Sequence, residues 1–190
     1  GYHSNKRGEG YFMLRRLNAP YLLITDSRLE GGQFYTGEYF NQAIPKVIDR
    51  HLQKLGFTRQ QLILSGISMG TYGALKFGAL MGVHEVIAAK PLVHLDSIAT
   101  RSRLARPDEF ETAFDIKRAI EADGQAIDDE MLLRLMDQQD LTKTNFSIAY
   151  MENDDYDPTA FDDLSRHLLN QANRLNSYSL PGRHNDDSAG

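Results

Sequence analysis

The amino-acid sequence predicts a three-layer α/β fold with a mainly parallel sheet. Short apolar runs rich in β-formers alternate with longer stretches of helical periodicity, and glycine, proline or acidic residues mark each change. The length of 190 residues suits a single domain with one substantial core, so residues 1–190 are expected to fold as one unit.

The elements follow in order. Tyr21-Leu22-Leu23-Ile24-Thr25 is a compact apolar run and predicts a buried strand, interrupted by Asp26-Ser27-Arg28. After Gly31-Gly32, residues 41–55 place Ile44, Val47, Ile48, Leu52 and Leu55 at helical spacing, with Gly56 as the stop. Pro45 marks the first turn of that helix or kinks it. Residues 61–65 predict the next strand, and 71–81 a helix ended by Gly82, with Ala74, Leu75, Phe77 and Leu80 available to pack. Gly73 and Gly78 each cost that helix roughly 1 kcal/mol relative to alanine, which points to close approach to the sheet.

Residues 85–89 predict a third strand, broken at Lys90-Pro91. The stretch 92–145 is less regular, with a short amphipathic piece near 109–121 and a firmer helix over 128–137. An excursion there, between two strands, is where a substrate-covering cap is expected. Residues 146–151 predict the fourth strand. Pro158 suits the first position of a helix capped by Asp157, and residues 176–180 form a last short strand that delivers Pro181-Gly182-Arg183-His184.

Composition excludes several functions. The net charge is −5, and the short basic runs at Lys6-Arg7 and Arg101 to Arg106 read as solvated faces, so no nucleic-acid partner is expected. There are no cysteines, which removes disulfide and thiolate chemistry and agrees with a cytoplasmic location. No apolar run is long enough for a membrane span, and the opening residues lack the apolar stretch of a signal peptide. The carboxylates of 152–157 lack the alternation and closing glutamate of a calcium loop. Phosphate-loop and dinucleotide fingerprints are absent too, so neither a metal nor a bound cofactor is expected.

The chemistry centres on Gly66-Ile67-Ser68-Met69-Gly70. A Gly-x-Ser-x-Gly pattern alone is weak, but this one lies between a predicted strand and a predicted helix, the context of a nucleophile elbow. That context makes the expected fold α/β-hydrolase-like. A serine hydroxyl needs a base held by a third group, in the chain order serine, acid, histidine. His184 is the histidine that follows both the serine and the acidic turn in a glycine-containing loop. The acid falls among Glu152, Asp154, Asp155 and Asp157. Asp154 has the most natural reach and is the first choice, with Asp155 next; Asp157 has a competing task as helix cap, and Glu152 stands very close to its strand.

Developing negative charge on the attacked carbonyl oxygen needs donors. The backbone N–H of Met69 is one candidate, and the loop after strand 21–25 offers Ser27 or Arg28 as the other. Lys90, at the end of the third strand, and Tyr35, beyond the two glycines, are candidates for substrate contact.

Several separated stretches together resemble one known family. They are Gly10-Tyr11-Phe12-Met13-Leu14-Arg15-Arg16-Leu17, Asp26 to Gly32 followed by Phe34-Tyr35, Gly66 to Thr71, Lys90-Pro91-Leu92, Ile148 to Asp157, and Gly182-Arg183-His184-Asn185. The chain resembles the catalytic domain of the second accessory secretory protein of the accessory Sec system, which exports serine-rich glycoprotein adhesins from Gram-positive bacteria. The resemblance implies an esterase-like fold used for O-acetylation of N-acetylglucosamine on the adhesin, with an acetyl donor as co-substrate. Ser68 would be the nucleophile, His184 the base, and the acid would lie within 152–157. It also implies partnership with other accessory secretion proteins at the cytoplasmic face of the membrane, and a longer polypeptide of which this chain is the catalytic portion.

Overall fold

A computed structural model describes residues 14–26, 34–98, 121, 124 and 126–184. Among the described residues a four-stranded sheet runs in the order β1 (Ile63–Ile67), β2 (Glu85–Ala89), β3 (Asn145–Met151), β4 (Arg174–Leu180), every pair parallel. The α-helices among the described residues are α1 (Glu38–Leu55), α2 (Met69–Met81), α3 (Met131–Asp137) and α4 (Asp157–Leu168).

Because strand order follows chain order, right-handed crossovers carry the connecting helices to one face of the sheet. Two contacts locate that face. Gly78 of α2 lies against Val86, and Phe161 of α4 stacks on Tyr150 at 4.4 Å between ring centroids. Val86 is in register with Phe146, and Phe146, Ile148 and Tyr150 alternate along β3, so these contacts share a face. The core fills it: Leu75, Leu132, Leu133, Met136, Phe146, Ile148, Leu164 and Leu168 are all fully buried. The register collects Ile63, Ile67, Ile87, Tyr178 and Leu180 on the opposite face, where they are 39–54% exposed.

Several boundaries differ from the sequence expectation. Residues 21–26 pair with no strand of the sheet; Tyr21 and Leu22 are exposed, and the segment is tied instead to Tyr35, which donates its hydroxyl to Ile24 O and its N–H to Asp26 Oδ2. The strand expected over 61–65 is β1 at 63–67, because Thr58 and Gln61 form a reciprocal capping box that draws 59–61 into a 3₁₀ turn. Pro45 sits inside α1, which begins at Glu38. The helix over 128–137 is the shorter α3, whose Leu132, Leu133 and Met136 belong to the core. Much of the stretch 92–145, where a cap is expected, lies outside the described residues.

The glycines of α2 answer to contacts that only the fold reveals. Gly78 meets the sheet as expected, but Gly73 is pressed by the Tyr35 ring, where an added Cβ would stand 2.7 Å from Cδ2. At the elbow, a Cβ on Gly66 would lie 2.1 Å from the backbone oxygen of Gly70, whereas one on Gly70 meets nothing within 4 Å among the described residues. Gly66→Ala should therefore destabilise the protein by about 3 kcal/mol or more, because backbone cannot move aside as a side-chain tip can. Gly70→Ala should leave thermal stability close to the parent, and paired thermal melts of the two variants check both outcomes.

Candidate active site

The parallel arrangement brings the carboxyl ends of β1 to β4 to one edge, where the chemistry-bearing residues meet. Ser68 stands between the last residue of β1 and the first of α2 with φ 52° and ψ −122°, a conformation that costs a non-glycine residue on the order of 1–3 kcal/mol. Its main chain is held on both sides. The N–H donates to Ala89 O at 2.9 Å, and the carbonyl accepts from Thr71 N at 2.9 Å and Thr71 Oγ1 at 2.5 Å. Thr71, fully buried, also accepts from Leu92 N at 2.9 Å and so joins the elbow to the loop after β2.

His184 arrives from the loop after β4. That loop is fastened to the turn after β3 by Glu152 N to Leu180 O, Asn153 N to Gly182 O, and Gly182 N to Asn153 Oδ1. The imidazole Nε2 lies 2.8 Å from Ser68 Oγ, and Nδ1 lies 2.6 Å from Asp157 Oδ1. A carboxylate only accepts, so Nδ1 carries the proton and Nε2 is left to accept from the serine hydroxyl.

The acidic residue facing the ring is thus Asp157, which corrects the first choice of Asp154. The two aspartates have exchanged the tasks their spacing suggested. Asp157 is the first residue of α4 rather than its cap; it is fully buried, and its Oδ2 accepts from Met151 N at 3.1 Å. Asp154 covers the start of the helix, its Oδ1 accepting from Tyr156 N at 2.8 Å and Asp157 N at 3.2 Å. Its Oδ2 accepts from the backbone N–H of His184 at 3.0 Å. Asp155 is exposed, and exposed Glu152 accepts from Ser179 Oγ.

Burial alone would raise the Asp154 pKa, but the backbone N–H groups of His184, Tyr156 and Asp157, together with the imidazole charge, outweigh it and hold the carboxyl below its usual value. Burial pushes the Tyr156 hydroxyl up to about 12 even though the N–H groups of His94 and Val93 point at it. The neutral hydroxyl accepts both bonds and pins the loop after β2 above the start of α4, where His94 Nε2 also meets Asp163 Oδ2 at 3.0 Å.

The other candidates resolve differently. Met69 opens α2, where a backbone N–H has no partner within the helix. Ser27 and Arg28 lie outside the described residues. Lys90 is buried and donates from Nζ to His184 O at 2.7 Å. Tyr35 turns its ring onto Gly73 and beside Phe40, and its carbonyl accepts from buried Lys76 at 3.1 Å. Thr71 and Tyr156 were not singled out from sequence, since a buried hydroxyl reveals its task only when a distant backbone group faces it. Among the described residues, no cluster of three or more His, Asp or Glu could hold a metal, and no helix is long and apolar enough to cross a membrane.

A parallel sheet with a strained serine between strand and helix, and a histidine beside it from the loop after the last described strand, defines an α/β-hydrolase-like protein. Comparison with known proteins narrows this. Residues 1–190 match the accessory Sec system GspB-transporter family, and the chain belongs to that family. It is similar to accessory Sec system proteins of Staphylococcus aureus, 46% identical over 99% of this chain and 37% of that protein, and of Streptococcus gordonii, 43% identical over 99% and 38%. Among solved structures, a chain of the Glycosylation Associate Protein (Gap123) complex from Streptococcus agalactiae is 40% identical at a TM-score of 0.85, covering 100% of this chain and 38% of that one. The capsule O-acetyltransferase of Neisseria meningitidis serogroup A shares the fold, with a TM-score of 0.64 and 23% identity over 84% of this chain and 64% of that one. The chain spans less than two fifths of the length of its accessory Sec relatives.

The exchanged aspartates can be told apart. Asp157→Asn should slow turnover of a small acetyl ester by about 10³- to 10⁴-fold through loss of the correct imidazole tautomer. Asp154→Asn should cost about tenfold, the scale of one weakened hydrogen bond. Because folding depresses the Asp154 pKa, its carboxylate adds stability above its unfolded pKa, near 4, and loses it as pH falls through the lower folded value. The stability gap between parent and Asp154→Asn should therefore narrow steadily below about pH 4 in acid-unfolding curves.

Proposed function

We propose that this chain is a serine-dependent O-acetyltransferase domain acting on N-acetylglucosamine of serine-rich glycoprotein adhesins during accessory Sec export. The observation that carries the reading is the unbroken line from Asp157 Oδ1 through the His184 imidazole to Ser68 Oγ, with links of 2.6 and 2.8 Å. Ser68, His184 and Asp157 serve as nucleophile, base and orienting acid.

The reaction has two halves. Ser68 Oγ attacks the acetyl carbonyl as His184 Nε2 takes its proton, and the tetrahedral oxyanion faces the Met69 N–H at the start of α2. The loop of Ser27 and Arg28 is assigned the second donor. His184 then returns the proton to the departing group of the donor, leaving acetyl-Ser68. A sugar hydroxyl next gives its proton to His184 and attacks the acetyl carbon, and Ser68 leaves with that proton restored. Asp157 does not take up the proton; its charge stabilises the imidazolium formed in each half.

Family membership supports a place in accessory Sec export, and the capsule O-acetyltransferase neighbour supports the capacity of this fold for O-acetyl transfer. The complex that contains a 40% identical chain supports other accessory secretion proteins as partners. In keeping with an export role, the work is assigned to the cytoplasmic face of the membrane. Water replacing the sugar in the second half would make the same site an acetylesterase.

The test incubates the protein and its Ser68→Ala variant with an acetyl donor and an N-acetylglucosamine-bearing peptide, followed by mass spectrometry. Expected are an acetyl-Ser68 species, acetylated sugar in the peptide, and a loss of at least about 10³-fold in Ser68→Ala. Acetate release without sugar acetylation selects the esterase. Absence of both the intermediate and a Ser68-dependent product defeats an enzymatic role and leaves a non-enzymatic part in secretion.

A further inference from the structure

Lys90 is unusual in three ways that the reaction just described does not use. It is a buried lysine, it adopts left-handed backbone at φ 55°, and its ammonium is aimed at the main chain of His184. Left-handed backbone suits glycine, so a lysine there keeps an unfavourable conformation that a glycine would relieve. The ammonium explains why a side chain is retained: Nζ donates to His184 O at 2.7 Å.

The position joins both reacting residues. Ala89 O accepts the N–H of Ser68 at 2.9 Å, and Lys90, the next residue, reaches His184; the Lys90 N–H is itself anchored on Ala149 O at 2.8 Å. One dipeptide at the end of β2 therefore holds the nucleophile by its amide and the base by its carbonyl. On the other side of His184, the Asp154 carboxylate holds the N–H at 3.0 Å. The main chain of the base is thus gripped between an anion and a cation.

We propose that Lys90 is a positioning residue that clamps His184 against Ser68 and balances the two aspartate charges around the imidazole. This rests on the acyl-transfer reading above. Among the described residues, the groups facing His184 are Asp157 at the start of α4, Asp154 from the turn after β3, Lys90 from the end of β2 and the Ser68 hydroxyl; Arg183, its sequence neighbour, is exposed. Without the cation, two carboxylates remain beside the ring and the imidazolium is favoured. The base is then protonated up to a higher pH, and the acidic limb of the activity profile moves upward.

The experiment measures kcat/KM for a small acetyl ester against pH in the parent, Lys90→Met, Lys90→Gly and Lys90→Arg, with a thermal melt of each. Lys90→Met and Lys90→Gly should lose about 10- to 100-fold and shift the acidic limb upward by about half a pH unit or more. Lys90→Gly should melt no lower than the parent, since glycine relieves the backbone. Lys90→Arg, which keeps the cation, should recover most of the rate and the parent limb. Parental rate and limb in Lys90→Met and Lys90→Gly would overturn the proposal. So would a rate loss with an unmoved limb and no recovery in Lys90→Arg, or loss of the folded state in Lys90→Gly, because either makes the ammonium a structural support only. Ser68→Ala in the same assay separates the two readings: if it retains turnover, the acyl-transfer reading fails, whereas Ser68 dependence with an indifferent Lys90 removes the clamp alone.

Discussion

The buried carboxylate of Asp157 is the constraint around which the rest is arranged. An ionised group with no access to water is tolerated only when donors surround it. The two that serve it are the amide of Met151, at the end of β3, and the imidazole of His184, carried by the loop after β4. Satisfying Asp157 therefore brings a strand end, a helix start and the His184 imidazole together. The Ser68 hydroxyl is then within one hydrogen bond of the assembled group.

The geometry of Ser68 has its own support. Its left-handed backbone is held by Ala89 O on one side and by Thr71 on the other, and a side chain at position 66 would collide with the Gly70 carbonyl. Thr71 passes the restraint to Leu92, and Tyr156 collects the amides of Val93 and His94. The segment after β2 is consequently fixed to the elbow at one end and to the start of α4 at the other. Each of these hydrogen bonds engages a main-chain group, which is how a site formed by strand ends and loops keeps a fixed geometry.

Much of this was legible in the chain. The alternation of apolar runs and helical periodicity located the four strands of the sheet within about two residues, because the pattern records which faces must be buried. Residues 21–25 carried the same apolar signal without becoming a strand of the described sheet, since a strand is defined by a partner and composition cannot supply one. The elbow and His184 were readable because the first depends on local turn sterics and the second on chain order.

By itself, then, the sequence determined the α/β class, the strained serine between strand and helix, and the histidine that follows the last strand, all consequences of local sterics and hydrophobic period. The tertiary structure decided which carboxylate meets the imidazole and which main-chain group the lysine after β2 reaches. Asp154 and Asp157 lie on the same turn and differ by less than one helical turn in position, so reach along the chain could not separate them. Where the helix starts and how the loop after β4 is fastened choose between them, putting one aspartate on backbone amides and the other on the ring. Lys90 and His184 are 94 residues apart, and only the parallel stacking of β2, β3 and β4 makes them neighbours.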